Sequence, residues 1–303
     1  GLAVVDEQHR FGVEQRGALT RQKPRPHLLG MSATPIPRTL SLTIYGDLDI
    51  TTLKILPEGR QPITTTLATN QVAKNHAYEL VRQQVALGKQ AFVVCPLIEP
   101  SDSIESASAL EELKHLQQGE FKDIRVGLLH GRMKLAEKQN VMERVRNKQV
   151  DVLVATPVIE VGMDIPNATV MMIMSANRFG LAQLHQLRGR VGRGEDESYC
   201  VLMANSKGDL ANERIEAMVK YSDGFILAEE DLRIRGPGDF MGTRQSGWDE
   251  LKIATIDDVD LLQIARKEAA DLMADGTLDS LNANPKLASE LTRVTSEHIA
   301  EFS

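Results

Sequence analysis

Cysteine is scarce in this sequence: there are two among 303 residues, and Cys95 and Cys200 lie far apart inside apolar, strand-like runs. That excludes a disulfide scaffold and a thiolate metal cluster, and it predicts buried, unreactive thiols. Histidine offers no metal site either, because the seven are scattered without ligand spacing. No apolar run approaches the length that crosses a bilayer, and the opening GLAVVDEQ lacks the basic, apolar and small-residue order of a signal peptide. A cytoplasmic protein is the expectation. Net positive charge is also missing: a chain at −7 is not a generic nucleic-acid coat, whose affinity comes from cations laid on phosphates. Nor does any Gly-rich loop ending in Gly-Lys-Ser/Thr occur, the usual cradle for nucleotide phosphates.

What is present begins with enough apolar residue, 42%, to bury a sizeable core, and a length that suggests two domains. The cations are concentrated at Arg188 to Arg193 and Arg233 to Arg244, so nucleic-acid contact is expected to be local. The densest stretch, HQLRGRVGRG (His185 to Gly194), interleaves Arg188, Arg190 and Arg193 with Gly189, Gly192 and Gly194. Arginine presents a planar fork that matches phosphate oxygens, and glycine lets backbone approach a ligand. A solvated basic turn would have the same composition. Position favours phosphate, since the run follows strand-like TVMMIM and amphipathic FGLAQLHQL, beyond the carboxyl end of a strand, where α/β sheets bind ligands.

Further strand-like runs are AFVVCP (Ala91 to Pro96), IRVGLLH (Ile124 to His130), DVLVAT and SYCVLMAN, alternating with helical patterns at Val72 to Leu87, beyond the acidic stretch Glu99 to Glu112, and at Leu135 to Asn147. Strands alternating with helices predict right-handed crossovers and a parallel α/β sheet. Upstream, Leu2 to Val5 and Leu28 to Met31 read as buried parallel strands. Asp6 and Glu7 project from the end of the first, and SATP brings hydroxyls to the end of the second, where Pro35 and Pro37 forbid an immediate helix. Pro57, Gly59 and Pro62 mark a hinge. Downstream, Asn212 to Lys220 and Phe225 to Leu232 have helical periodicity, joined by YSDG. They precede the loop RIRGPGDFMGTRQSG (Arg233 to Gly247) and further helices including Val259 to Met273.

QLRGRVGRG, preceded by VLVATPVIEVGMDIPNA and LLHGRM, resembles the closing motifs of superfamily-two helicases, and among them the RecG family of branch-migration DNA helicases. The likeness runs over nearly the whole chain. It implies a RecA-like second motor lobe at 57–205, the end of the first, ATP-binding lobe at 1–56, a translocation hairpin and loop at 206–247 and a helical segment at 248–303. The implied ligands are ATP and Mg2+. By resemblance Asp6 holds magnesium and Glu7 polarises the attacking water, Gln186, Arg190 and Arg193 serve the reaction, and Gly162 with Asp164 sit near the ribose. Ser32, Thr34, Arg38, Arg132, Thr156, Arg235, Arg244 and Gln245 are the implied DNA contacts or coupling residues. Pro157 stands where a second threonine is usual, and Met174 and Ser175 replace polar residues.

The family carries the phosphate loop and a wedge domain upstream, so the chain reads as the carboxyl-terminal part of a longer protein, without its amino-terminal half. The implied activity is ATP-driven remodelling of branched or forked DNA in recombination and repair, with single-stranded DNA-binding protein as a further partner. Two other readings stay open. One is a transcription-repair coupling translocase, which shares the hairpin and loop. The other is a non-catalytic DNA- or partner-binding module derived from a helicase.

Overall fold

The computed structural model describes residues 1–6, 26–34, 50–53, 61–96, 105–157, 165–204, 209–235, 259–274 and 285–301. The chain divides into two compact units, 1–37 with 52–242 and 38–51 with 243–303.

The first unit is built on a six-stranded, wholly parallel sheet. In chain order its elements are β3 (Ile63–Ala68), α1 (Gln71–Ala86), β4 (Gln90–Val94), α2 (Glu105–Gln118), β5 (Val126–Leu129), α3 (Leu135–Arg146), β6 (Val152–Ala155), β7 (Ala168–Ile173), α4 (Leu181–Arg188), β8 (Ser198–Met203), α5 (Asp209–Lys220) and α6 (Gly224–Arg235). The strands lie in the order β3-β8-β7-β4-β6-β5. β4, β6, β7 and β8 are apolar at nearly every position because a parallel sheet covered on both faces needs side chains that suit two cores. Strand periodicity divides them. Phe92, Val94, Leu153, Ala155, Met171, Ile173, Cys200 and Leu202 join one core with Leu181, Leu184 and Leu187 of α4 and Ile215, Met218 and Leu227 of the α5–α6 hairpin. Ala91, Val93, Val152, Val154, Val170, Met172, Val201 and Met203 join the other with Ala77, Tyr78 and Val81 of α1 and Leu116 of α2. Each fully buried leucine of α4 contributes about 1.5–3 kcal/mol relative to exposure.

Polar groups tie the layers where apolar packing ends. The Asn70 side chain accepts from the Ala73 N–H at 2.9 Å and starts α1, while Gly88, at φ 76°, ends it. Buried Gln90 donates through Nε2 to the Val145 and Val150 carbonyls, both at 2.7 Å, closing the exit of α3 onto β4. Both cysteines are buried and free, and burial pushes each thiol up to about 12.

Two sequence expectations change. β1 (Leu2–Val5) and β2 (His27–Gly30) form a parallel pair, but only Val5 of the two strands is buried, and Leu2 is 67% exposed. The physical reason is layering: a parallel pair buries its apolar side chains only when both faces are covered, and most side chains of this pair stand open. The loop expected to begin at Arg233 does not begin there, because α6 runs on to Arg235, and the rest of that expected loop, 236–247, lies outside the described residues. Arg233 pairs with Glu230 at 2.9 Å, Arg235 pairs with Asp231 at 3.0 Å, and Ile234 packs inward.

In the second unit the described elements are helices α7 (Val259–Ala274) and α8 (Pro285–Glu301). Among the described residues no helix is long and apolar enough to cross a membrane.

Candidate functional site

The described candidate residues of the six-stranded unit gather at the carboxyl ends of its strands or on the helices that follow. β5 delivers His130 and β6 delivers Thr156, and the two strands are paired in register from Val126 with Val152 to Leu129 with Ala155. Thr156 is buried; its N–H donates to the Leu129 carbonyl at 3.2 Å, yet its Oγ1 has no hydrogen-bond partner. His130 Nδ1 is likewise buried and unpartnered. A buried polar atom in this state costs about 1–3 kcal/mol, and two of them stand at neighbouring strand ends. Arg132 follows on the exposed turn into α3. At the end of β7, Ser175 takes a left-handed conformation, φ 49°, at one of the three positions that the sequence marks as departures.

The arginine turn is set by α4. Leu181, Leu184 and Leu187 anchor the helix, and Gly189 N–H and Arg190 N–H close its end on the His185 and Leu187 carbonyls, both at 3.0 Å. Gly192 then needs to be glycine twice over: its φ is 71°, and a Cβ there would meet Ile63 Cγ1 at 2.8 Å. The turn leaves Arg190 half-buried and Arg193 exposed, with Arg193 Nε reaching the Gly189 carbonyl at 3.5 Å.

Arg188 does something else. Its side chain points into the protein, 5% exposed, and donates from Nη1 to the Met218 and Tyr221 carbonyls at 3.1 and 2.9 Å and from Nη2 to the Ser222 carbonyl at 2.8 Å. Met218 belongs to the last turn of α5, whose carbonyls an ending helix leaves without partners, and Tyr221 and Ser222 follow it directly, so Arg188 caps α5 from outside, against the negative end of its dipole. Burial pulls its pKa down from the arginine norm. Arg188 is therefore removed from the set of phosphate-gripping arginines that the sequence suggested.

The remaining candidates divide by position. Asp6 is exposed at the end of β1, and a carboxylate is the donor that a hard divalent cation takes. Ser32 and Thr34 form a local turn after β2, the Thr34 N–H donating to Ser32 Oγ at 3.2 Å. Thr34 also meets α4: Gln186 Nε2 donates to Thr34 Oγ1 at 2.6 Å, across 152 positions of sequence. Arg235 ends α6, its Nε on Asp231. Glu7, Arg38, Gly162, Asp164, Arg244 and Gln245 lie outside the described residues. Among the described residues no group of three or more His, Cys, Asp or Glu is placed to hold a metal. The unpartnered His130 ring nitrogen and the inward turn of Arg188 were not expected from the sequence. Arg188 had a signal, since Leu181, Leu184 and Arg188 share one helical face.

Comparison with known proteins follows the same lines. The family model for the helicase conserved C-terminal domain matches residues 73–195, and that for domain 3 of the ATP-dependent DNA helicase RecG, C-terminal, matches 221–297. The chain is 49% identical over 294 residues to the ATP-dependent DNA helicase RecG of Synechocystis sp., covering 97% of this chain and 35% of that protein. It is 47% identical over 281 residues to the RecG of Staphylococcus aureus, covering 91% of this chain and 40% of that one. A solved structure of RecG bound to a three-way DNA junction superposes with a TM-score of 0.66 at 44% identity, covering 86% of this chain and 33% of that one. The helicase MrfA bound to DNA, at 20% identity and a TM-score of 0.52, shares the fold and covers 72% of this chain and 33% of its own. The chain thus spans about a third to two-fifths of the relatives it matches. With its RecA-like parallel sheet, its helicase C-terminal match and its RecG domain 3 match, the chain belongs to the RecG helicase family and corresponds to the carboxyl-terminal part of its members.

Proposed function

We propose that this chain supplies the second motor lobe and the lever hairpin of an ATP-dependent DNA helicase. In this reading a full-length protein of the relatives' extent moves on double-stranded DNA and remodels stalled forks and Holliday junctions in recombination and repair. The observation that carries it is the Gln186 to Thr34 hydrogen bond at 2.6 Å. It joins the hydroxyl-bearing turn after β2 to the helix that ends in the arginine turn, so a displacement at either is transmitted to the other.

ATP would supply the phosphoanhydride whose cleavage drives the cycle, and Mg2+ would offset the charge on its phosphates. In this proposal Asp6 would hold the ion, Glu7 would orient water, Gly162 and Asp164 would serve the ribose, and Arg190 and Arg193 would offset the negative charge of the transferred phosphate. Arg132, on the exposed turn into α3, would meet the DNA backbone, whereas Thr156, 1% exposed here, would reach a phosphate oxygen only once the ends of β5 and β6 open around it and His130. Ser32, Arg38, Arg235, Arg244 and Gln245 complete the coupling and duplex contacts. The domain 3 match favours this over a transcription-repair coupling translocase, and the relative that holds a three-way junction favours branched DNA as substrate. Single-stranded DNA-binding protein is proposed as a partner, and the cytoplasm as the place of work.

The test is ATP hydrolysis by the full-length protein with and without a forked duplex, beside Gln186→Ala and Thr34→Val. Stimulation by the fork, lost in both variants, supports the reading. A wild-type rate indifferent to DNA refutes it.

A further inference from the structure

The turn that leads from β5 into α3 is held at several points. The Met133 N–H donates to the His130 carbonyl at 3.2 Å, which closes a four-residue turn, and the His130 N–H donates back to Met133 Sδ at 3.4 Å. Met133 packs against the core that holds Leu129 and Ala155. Past the turn, Glu137 Oε2 accepts from the Lys134 N–H at 2.8 Å and starts α3.

Those contacts fix the corners of the turn and leave its middle. The peptide joining Gly131 to Arg132 lies between the two bonded ends, and the closing bond of such a turn uses neither its carbonyl nor its N–H. Lys138 takes the carbonyl: from the first turn of α3 its Nζ donates to the Gly131 oxygen at 2.5 Å. Helix stability does not explain a lysine there. The first turn stands at the positive end of the helix dipole, which favours acidic side chains, and the cap position is already held by Lys134, whose side chain has no acceptor. A cation is tolerated at 138 because a carbonyl oxygen outside the helix receives it. Of the three neighbouring cations, Arg132 and Lys134 are exposed, whereas Lys138 is half-buried and committed to main chain.

We propose that Lys138 is a positioning residue for Arg132. Its ammonium fixes the plane of the Gly131–Arg132 peptide, and with it the direction in which Arg132 is offered to a DNA phosphate, while Lys138 itself makes no contact with DNA. The proposal deepens the reading of Arg132 as a backbone contact given above and rests on it.

The test uses the full-length protein and a forked duplex. Lys138→Met removes the donor and keeps the stem; Lys138→Gln, too short to reach Gly131, repeats the comparison with a polar tip should methionine impair folding. Before DNA is added, hydrogen exchange at Met133 and Lys134 is expected to rise about fivefold or more in either variant, with the sheet amides unchanged. Fork affinity is expected to fall roughly tenfold, as in Arg132→Ala, while ATP turnover at saturating DNA stays within about twofold of wild type. Lys138→Met added to Arg132→Ala should cost nothing further, because the contact that Lys138 orients is already gone. The slope of log affinity on log salt then drops by about one in both single variants and in the double variant alike. Losses that multiply, with a slope lower by about two in the double variant, make Lys138 a DNA contact in its own right and overturn the proposal. Unchanged exchange at Met133 and Lys134 overturns the clamp whatever the affinity does. Arg132→Ala binding the fork like wild type overturns the DNA reading of Arg132, and exchange, which involves no DNA, tells the two failures apart.

Discussion

Replacing Arg188 by alanine should be among the most damaging single changes in the six-stranded unit. The side chain is 5% exposed and makes three hydrogen bonds to main-chain carbonyls at the end of α5. Bonds to a charged group are worth about 1.5–3 kcal/mol each, but the truncation also relieves the burial of a cation, so the sum overstates the loss. Water can reach the Ser222 carbonyl, since that residue is exposed, whereas Met218 is fully buried and Tyr221 half-buried. Counting one and a half carbonyls orphaned at about 1–3 kcal/mol each, with some packing lost along the side chain, gives a loss of roughly 3 kcal/mol. Arg188→Lys keeps the charge but not the fork and should lose about half as much. Urea denaturation, read by hydrogen exchange at residues 209–235, reports on this region alone. A loss under about 0.5 kcal/mol for alanine, or lysine indistinguishable from arginine, refutes the capping role.

Gly192→Ala must adopt a φ of 71° and push Ile63, so it should cost about 1–3 kcal/mol in the same denaturation assay; no loss would mean that the turn relaxes freely. Cys95 and Cys200, with thiols near 12 and buried, should not react with a thiol reagent at pH 8 until the chain is unfolded, and fast labelling of either in the native state contradicts the packing. In the full-length protein, Arg190→Ala and Arg193→Ala should each lower the turnover of ATP about a thousandfold while changing ATP affinity much less, as steady-state kinetics and equilibrium binding would show. The 303-residue chain alone should show no DNA-stimulated ATP hydrolysis, since positioning of the β- and γ-phosphates carries most of the catalysis; release abolished by Glu7→Gln would contradict this.

The sheet was legible because strand periodicity in a doubly covered parallel sheet leaves a strong mark. The runs at Phe92, Leu153, Met171 and Val201 are apolar on both faces, and their strands lie within two residues of the expected places. α5 and α6 were legible from helical spacing, but the end of α6 was not, because Gly236 and Pro237 drew the loop boundary back to Arg233 while the Asp231–Arg235 pair holds one more turn. The arginines were read as a set because composition does not say which way each points. Arg188 shares a face with Leu181 and Leu184, and helical spacing alone separates it from Arg190 and Arg193. β1 and β2 were read as buried from their apolar residues, yet burial belongs to the layers around a strand, which composition does not contain. The Gln186 to Thr34 bond joins residues 152 positions apart, where no local pattern carries a signal.

The central claim, that ATP turnover becomes movement along duplex DNA through α4 and its hairpin, is tested most directly by displacement of a third strand from a triplex ahead of a fork, using the full-length protein. The account predicts ATP-dependent displacement by the wild type that is lost in Gln186→Ala. Fork-stimulated hydrolysis by the wild type with no displacement of the third strand would contradict it.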